Sequence, residues 1–520
     1  MIMRRVRASL AICLLCMCVA TVAASSPGRM AQAASASSPV PRADHAWRTD
    51  VARYAQRMID AGFFPGMQIA VTRGDRVVYT GSFGVADIGT GRRVDDGTRF
   101  YIASTTKALT ATAVLLEIAH GRMSLDAPVT RYIHDVRFHP PLQAERITIR
   151  SLLAMTDGID ACMPVVFRTA FSGVFTQPQL IRLMRDCGPS KSGRAFVYRN
   201  LPYNLLGMAL APHARDGWKA VVRKDVLEPL GMRETTARVS TLARDRIAMP
   251  HEADGQGFAR IRLAKTDANL HAAGGYFTTA RDLARFLAVQ ASGGRLQGRR
   301  IFPAAVIATA HAEHAQQDRD FGPYHRYGWG YGWDLGRYEG HTLVHRFGAF
   351  SGYRSHVSFM PDTGVGVIVL VNGVGVPYAA DEMADYIYDR LRDGHAKAQA
   401  RHDADFARLL KRKASFARRV AAHRKLERQR EREPLKQPLD AFVGRYANPW
   451  LGTMRWTLSD GHLHVAIGAA QSVATIYDAN RSALRVELTG GGEVVRFDFG
   501  KGAKHATALE YHGYRFERVQ

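Results

Sequence analysis

The sequence has few cysteines, fewer acidic than basic residues, and no long apolar run after its N-terminus. Three of its five cysteines lie within the first 20 residues, which leaves Cys162 and Cys187 for the body of the chain. After the N-terminal region no stretch reaches 18 apolar residues, which excludes a later membrane-spanning helix. The 520 residues are 46% hydrophobic and 23% charged. This composition excludes a fibrous or wholly disordered chain, and the length suits two or three domains.

Several enzyme signatures are also absent. The spacing of His311 and His314 is wrong for an HExxH zinc helix, and no G-x-S-x-G nucleophile elbow occurs. The glycine pairs Gly364/Gly366 and Gly373/Gly375 lack the third glycine and the downstream acid of a dinucleotide fingerprint. We therefore expect no metal and no cofactor.

The net charge of +24 raises the question of a nucleic-acid partner. Residues 401–436 hold 13 basic and 5 acidic residues, and three more arginines precede the first apolar run. The basic segment has only Phe406 and Phe416 as stacking aromatics. We expect a solvated basic helix with no nucleic-acid partner and at most peripheral membrane contact.

The first residues have the pattern of an export signal. A basic start precedes an apolar core of about 16 residues and a region of small residues. We predict a signal peptide over 1–24, with cleavage after Ala33 as the later option, and a linker over 25–45. An uncleaved anchor is the alternative. The protein is then expected to be periplasmic or secreted, where Cys162 and Cys187 form a disulfide or remain free thiols.

The pattern beyond residue 45 divides into three parts. Residues 46–393 contain both strand-like runs and helices. The strand-like runs predict a hairpin over 68–79 and two strands in 355–372, and helices are predicted over 104–120 and 377–394. This mixture predicts an α/β layer with a helical insertion. Residues 394–436 form the basic helical linker, which has no glycine or proline from Ala396 to Glu433. Residues 437–520 predict a small all-β barrel or sandwich.

The segment that carries chemistry is Ser104-Thr-Thr-Lys107. Helical periodicity places the two side chains on one face, one turn apart, before a helix that is apolar nearly all round. Burial lowers a lysine pKa, so Lys107 becomes a candidate base and Ser104 a candidate nucleophile. By itself S-x-x-K also fits a helix-capping serine and a lysine whose charged end reaches solvent.

Two later segments add to this pair. Tyr198 and Asn200 lie two apart before a helix, where a phenol and an amide can both point into a cleft. The stretch 344–353 places Arg346 beside Gly348 on a strand that could form a third side of a serine site. The alternatives are a core tyrosine with a turn asparagine, and an edge strand with solvated charges.

Together these segments resemble the serine β-lactamase and penicillin-binding protein family, in particular its class C β-lactamase and esterase branch. The order S-x-x-K, Y-x-N and K-or-H-x-G matches over roughly 50–393, and flanking stretches at 65–71, 147–158 and 273–283 match as well. The resemblance implies an α/β (α+β) fold with an antiparallel sheet flanked by helices and a helical insertion. It also implies an appended all-β C-terminal module.

The resemblance implies roles for individual residues. Ser104 would be the nucleophile, Lys107 and Tyr198 the proton carriers, and the backbone N–H groups of Ser104 and Ala349 the oxyanion hole. The substrate-binding set would be Asn200, His345, Arg346, Gly348 and Ala349. This sequence departs from the family at its third signature, since Arg346 replaces lysine or histidine, Phe347 replaces threonine or glycine, and His345 comes one position early.

The departure favours some substrates over others. Phe347 lacks the hydroxyl that β-lactamases use on the antibiotic carboxylate, so we expect an ester, amide or D-amino-acid peptide as substrate. The predicted function is an exported serine hydrolase acting on a small-molecule or peptide substrate, with the cell wall as one source. The alternatives are a β-lactamase or D-Ala-D-Ala carboxypeptidase, and a non-catalytic sensor or scaffold.

Overall fold

The computed structural model describes residues 46–519. The predicted signal peptide and linker lie outside the described residues. The helices are α1 (Ala46–Asp60), α2 (Thr106–Ala119), α3 (Ile149–Ala154), α4 (Met163–Phe167), α5 (Gln177–Met184), α6 (Leu201–Leu210), α7 (Trp218–Val222), α8 (Ala280–Ala291), α9 (Ala304–His311), α10 (Ala379–Asp393) and α11 (His395–Glu431).

The strands up to residue 374 form a large sheet and several short pairs. They are β1 (Gly66–Arg73), β2 (Arg76–Asp87), β3 (Arg92–Arg93), β4 (Phe100–Tyr101), β5 (His251–Ala253), β6 (Phe258–Arg260), β7 (Phe277–Thr278), β8 (Arg295–Leu296), β9 (Arg299–Arg300), β10 (Ala315–Phe321), β11 (Tyr324–Trp329), β12 (Asp334–Tyr338), β13 (His341–Phe350), β14 (Tyr353–Met360), β15 (Val365–Val371) and β16 (Gly373–Val374).

The C-terminal strands are β17 (Gly444–Asn448), β18 (Gly452–Ser459), β19 (His462–Ile467), β20 (Ala470–Val473), β21 (Thr475–Asp478), β22 (Ala483–Val486), β23 (Glu493–Asp498), β24 (Ala508–Tyr511) and β25 (Tyr514–Arg518).

The main sheet is antiparallel and has the order β10-β11-β12-β13-β14-β15-β1-β2-β3. Its central strands β1 and β15 are buried on both faces, which explains why β15 reads as an unbroken apolar run. Helices α1 and α10 contact one face, and α8 contacts the other. The predicted α/β fold with an antiparallel sheet flanked by helices is confirmed, and so are the hairpin β1–β2 and the strand pair β14–β15.

The predicted helical insertion lies between β4 and β7 and contains α3 to α7. Cys162 and Cys187 form a disulfide across this insertion, which decides between the two states that the sequence left open. The bridge stands immediately before α4 and a following π-helical turn over Arg168–Ser172. It therefore fixes one end of the segment that leads to the candidate site.

The polar helix α11 leads to a separate β domain. The C-terminal sheet has the order β20-β19-β18-β17-β25-β24-β23-β22-β21 and encloses its own apolar core, as predicted for an all-β module. Arg168 joins this barrel-like domain to the insertion, because its buried guanidinium donates to the carbonyls of Trp450 (2.6 Å) and Pro449 (3.3 Å). Among residues 46–519, no helix is both long and apolar enough to span a membrane.

Candidate active site

The serine lies in a tight turn before a buried helix. Strand β4 leads into a 3₁₀ turn over Ala103–Thr105, and α2 begins at Thr106. Ala103 has φ = 44°, a left-handed conformation that favours glycine, so the turn that presents Ser104 is strained. Ser104 makes no capping bond, and the helix begins two residues after it. The capping alternative is therefore wrong, while the predicted burial of α2 is confirmed.

Lys107 is completely buried beside the serine. Its Nζ lies 3.2 Å from Ser104 Oγ and donates to Asn200 Oδ1 and to the Ala273 carbonyl, both at 2.8 Å. Burial lowers the pKa of Lys107 to about 8, the charge of Arg346 acts in the same direction, and Tyr198 partly offsets both. A lysine with this pKa is partly neutral near pH 7, so it can accept a proton from an adjacent hydroxyl.

Tyr198 lies between the two cations of the site. Its hydroxyl accepts a hydrogen bond from Arg346 (3.1 Å), and Lys107 Nζ lies 4.9 Å from the centre of its ring. Burial raises the pKa of Tyr198, but the charges of Arg346 and Lys107 outweigh that effect and lower it. The phenol therefore gives up its proton more easily than an isolated tyrosine.

Arg346 is occupied by partners within the protein. Its guanidinium is bonded to Asp334 Oδ2 (3.0 Å) and to the Tyr198 hydroxyl, and it is 5% exposed. Asp334 is fully buried; burial raises its pKa, but Arg346 and Arg326 outweigh this and hold it low. The resemblance implied that Arg346 binds substrate, but the structure gives that cation an acid of its own. Arg346 contacts the serine site through Tyr198.

The prediction that His345 binds substrate is wrong. Side chains alternate between the two faces of a strand, so His345 and Phe347 point away from the face that carries Arg346. His345 is fully buried, stacks on Phe347 at 4.7 Å, and its Nε2 accepts a hydrogen bond from Arg326 (2.9 Å). Phe347 likewise lies in the core beneath α1 and α10.

Gly348 and Ala349 have different relations to the cavity. A Cβ on Gly348 would lie 2.0 Å from the Ile102 carbonyl oxygen, so glycine is required for the serine turn to approach β13. Gly348 therefore supports the turn without lining the cavity. Ala349 does line it, beyond the last residue at which β12 pairs with β13. This end of β13 is an open sheet edge beside Ser104.

A cavity of about 850 Å³ opens over Ser104. Parts that are distant in sequence form its wall: the serine turn, Asn200, the Ala273-Gly274 turn, the end of β13, Phe416 of α11, and a barrel-domain segment. That segment, which we call the barrel wall, contributes Arg485, Glu487, Thr489, Gly490 and Gly491. Its turn closely approaches the turn after β13, since a Cβ on Gly490 would lie 2.4 Å from Ser351 Oγ. The C-terminal domain thus forms part of the site.

Sequence reasoning missed Asp334, Lys265 and the barrel wall. The segment 324–334 is dense in glycine and aromatic residues and ends in the acid that begins β12, and this was an available signal for Asp334. Lys265 and the barrel wall had no local signal, because their contacts join segments far apart in the chain.

Two groups of acidic and histidine residues within the described range have the spacing of metal ligands. Neither belongs to the cavity over Ser104. They are Glu117, His120 and Asp225, and Glu382, His402 and Asp405.

The Beta-lactamase family model matches residues 51–391, which include Ser104, Lys107, Tyr198 and Arg346. The chain belongs to the β-lactamase family.

Individual relatives are distant. "Protein flp" of Staphylococcus aureus (strain MW2) is 26% identical over 197 residues, which cover 38% of this chain. The chain spans 40% of that relative's length and 61% of the protein of the same name in another strain.

Two solved structures share the fold. The octameric penicillin-binding protein homologue from Pyrococcus abyssi has a TM-score of 0.55 at 19% identity and covers 90% of this chain and 99% of its own. The D-amino acid amidase from Ochrobactrum anthropi SV3 has a TM-score of 0.57 at 20% identity and covers 67% of this chain and 99% of its own.

Proposed function

We propose that this protein is an exported serine hydrolase that acts through an acyl-enzyme on Ser104. The observation that carries the proposal is the 3.2 Å contact between Lys107 Nζ and Ser104 Oγ at a fully buried lysine. Burial both lowers the pKa of this base and strengthens its electrostatic interactions. A serine beside such a base is activated for nucleophilic attack.

In the proposed mechanism, Lys107 together with Tyr198 takes the Ser104 proton, and Oγ attacks the substrate carbonyl carbon. The backbone N–H groups of Ser104 and Ala349 stabilise the negative charge that develops on the carbonyl oxygen. Tyr198 protonates the leaving group as the carbonyl re-forms. A water molecule, deprotonated by the same pair, then releases the acid product and regenerates the serine. Asn200 holds Lys107 in place through Oδ1.

The substrate class that we propose is an ester, an amide or a D-amino-acid peptide. Phe347 brings neither a hydroxyl nor its ring to the cavity, and Arg346 is neutralised by Asp334. Both features weaken the case for a β-lactam carboxylate held at this strand. The structural likeness to a D-amino acid amidase supports an amide or peptide with a D-residue.

Two observations support export. The N-terminal residues have the pattern of a signal peptide. The disulfide between Cys162 and Cys187 suits an oxidising compartment such as the periplasm or the extracellular space.

A substrate panel tests the proposal. 4-Nitrophenyl acetate, D-alanine 4-nitroanilide, N-acetyl-D-alanyl-D-alanine and the β-lactam nitrocefin would be incubated with the wild type and with Ser104→Ala. We expect turnover of the ester or of the D-amino compounds ahead of the β-lactam, and none by the variant. Equal turnover by the variant would contradict the role of Ser104, and preferred turnover of nitrocefin would instead indicate a β-lactamase.

A further inference from the structure

A second buried lysine lines the cavity over Ser104. Lys265 is 4% exposed, and its Nζ donates to the Ala170 carbonyl at 2.9 Å. Three aromatic rings surround the ammonium, with centroids at 3.6 Å (Phe350), 5.1 Å (Tyr101) and 5.9 Å (Phe171). We call this group the lysine pocket.

The lysine pocket differs from the two arginines of the cavity wall in having no acid. Arg354 lies 3.2 Å from Asp381, and Arg485 lies 2.5 Å from both Glu427 and Glu487. For Lys265, no carboxylate within residues 46–519 lies within 4 Å of Nζ. The one hydrogen bond to Ala170 uses one of its three donors.

A cation in such surroundings is costly to maintain. Burial lowers the pKa of Lys265 to about 7, and no neighbouring charge contributes to the change. Aromatic faces compensate a buried charge only in part. An anion that reached this ammonium would supply the missing counter-charge and accept the hydrogen bonds that are still free.

We propose that Lys265 is the residue that binds the carboxylate of the substrate in the cavity over Ser104. The inference rests on the proposed hydrolase function and extends it, because it assigns an anionic group to the ester, amide or peptide that is cleaved. The geometry supports Lys265 over Arg346 for this role. Arg346 already has Asp334 as its partner at 3.0 Å, whereas Lys265 faces the cavity with donors to spare.

Lys219 provides a matched control. It is also a partly buried lysine over an aromatic ring, with Trp218 at 5.9 Å, but its Nζ donates to the carbonyls of both Ala237 and Asp267. It lines a separate cavity of about 370 Å³ beside α6 and α7. Lys219→Met therefore removes the charge of a partly buried lysine and leaves the lysine pocket unchanged.

Calorimetric titration tests the proposal on the full-length protein. The probes are acetate, glutaramate and N-acetyl-D-alanine, each beside its neutral primary amide. We expect the wild type and Lys219→Met to bind at least one carboxylate about tenfold or more tightly than its amide. In Lys265→Met that preference should disappear. Equal binding of all the pairs by the wild type, or a preference that survives in Lys265→Met, would overturn the proposal.

Two further measurements keep the outcome interpretable. If Lys265→Met does not fold, Lys265→Gln takes its place in the titration. The wild-type titration also tests the proposal without any variant, because a wild type that binds carboxylates no more tightly than their amides is sufficient to reject it. Binding needs no turnover, so failure of hydrolysis and failure of carboxylate recognition are seen separately. A protein that hydrolyses neutral esters but shows no preference keeps its proposed function and loses this inference.

Discussion

The two buried lysines of the cavity differ in their partners. Lys107 contacts a hydroxyl, an amide oxygen and a carbonyl, beside a tyrosine and an arginine that Asp334 neutralises. We call this group, with Ser104 and Asn200, the serine cluster. Lys265 has one carbonyl and three rings. The difference indicates that the serine cluster is complete without substrate, whereas the lysine pocket lacks an anion.

The two regions also differ in origin. The serine cluster comes entirely from the matched family region, residues 51–391. The rest of the cavity includes Phe416 and the barrel wall, which lie outside that region. This separation is consistent with chemistry supplied by the family fold and selectivity supplied partly by the appended domain.

The largest effect is expected at the base of the serine cluster. Lys107→Met keeps the length of the side chain but removes the proton acceptor next to Ser104. We expect kcat/KM for 4-nitrophenyl acetate to fall by about 10³-fold, within the usual contribution of a general base. The control, Lys219→Met, should stay within a few-fold of the wild type. Comparable losses in both variants would mean that burial of charge, and not proton transfer, explains the effect.

The next effect concerns the acid that neutralises Arg346. Asp334→Asn leaves a buried arginine without its counter-charge, which costs about 3–5 kcal/mol of unfolding free energy. The exposed pair of Arg57 and Asp403, at 2.5 Å, is the comparison. Asp403→Asn should cost less than about 1 kcal/mol, because solvent screens that pair. Denaturant unfolding measures both losses of unfolding free energy. A loss for Asp334→Asn as small as that for Asp403→Asn would show that Asp334 is not needed for stability.

A smaller effect is expected at the disulfide that precedes the lysine pocket. Replacing both Cys162 and Cys187 by alanine removes a constraint on the unfolded chain worth about 3 kcal/mol. The segment after it carries Ala170 and Phe171, which contact Lys265. Thermal unfolding should show the loss. Turnover of a small neutral ester should change little. A fall in kcat/KM as large as that in Lys107→Met would mean that the disulfide also holds the serine cluster in place.

The smallest effect is a pH dependence set by Lys107. Its pKa is lowered to about 8, and the neutral amine is the form that accepts the serine proton. Therefore kcat/KM for a neutral ester should rise by about 50-fold between pH 6 and 8 and level off above about pH 9, as the amine loses its proton. Steady-state rates on 4-nitrophenyl acetate measure it. A profile that falls as the pH rises would contradict a neutral Lys107 as base.

Local patterns predicted the parts of the site that are close in sequence. The S-x-x-K spacing and the apolar helix after it predicted the contact between Ser104 and Lys107, and the strand pattern predicted the antiparallel hairpins. The same reasoning failed for His345 because a strand has a period of two, so an error of one residue moves a side chain to the opposite face.

Contacts between distant segments could not be predicted in this way. Asp334 meets Arg346 across neighbouring strands, and Lys265 meets Phe350 from an irregular stretch far away in the chain. The barrel wall reaches the cavity only through the docking of a second domain. Asp334 had a local signal as a residue, but no residue spacing gives its partner or the other contacts, since they depend on tertiary packing.

Covalent labelling distinguishes an activated Ser104 from an ordinary serine. The wild type, Ser104→Ala and Ser351→Ala would be exposed to a fluorophosphonate probe and their intact masses recorded. Ser351 is a suitable control because it lines the same cavity, and within residues 46–519 no lysine is hydrogen-bonded to it. We expect one adduct on the wild type and on Ser351→Ala, and none on Ser104→Ala. An unlabelled wild type, or an adduct that remains on Ser104→Ala, would contradict an activated Ser104.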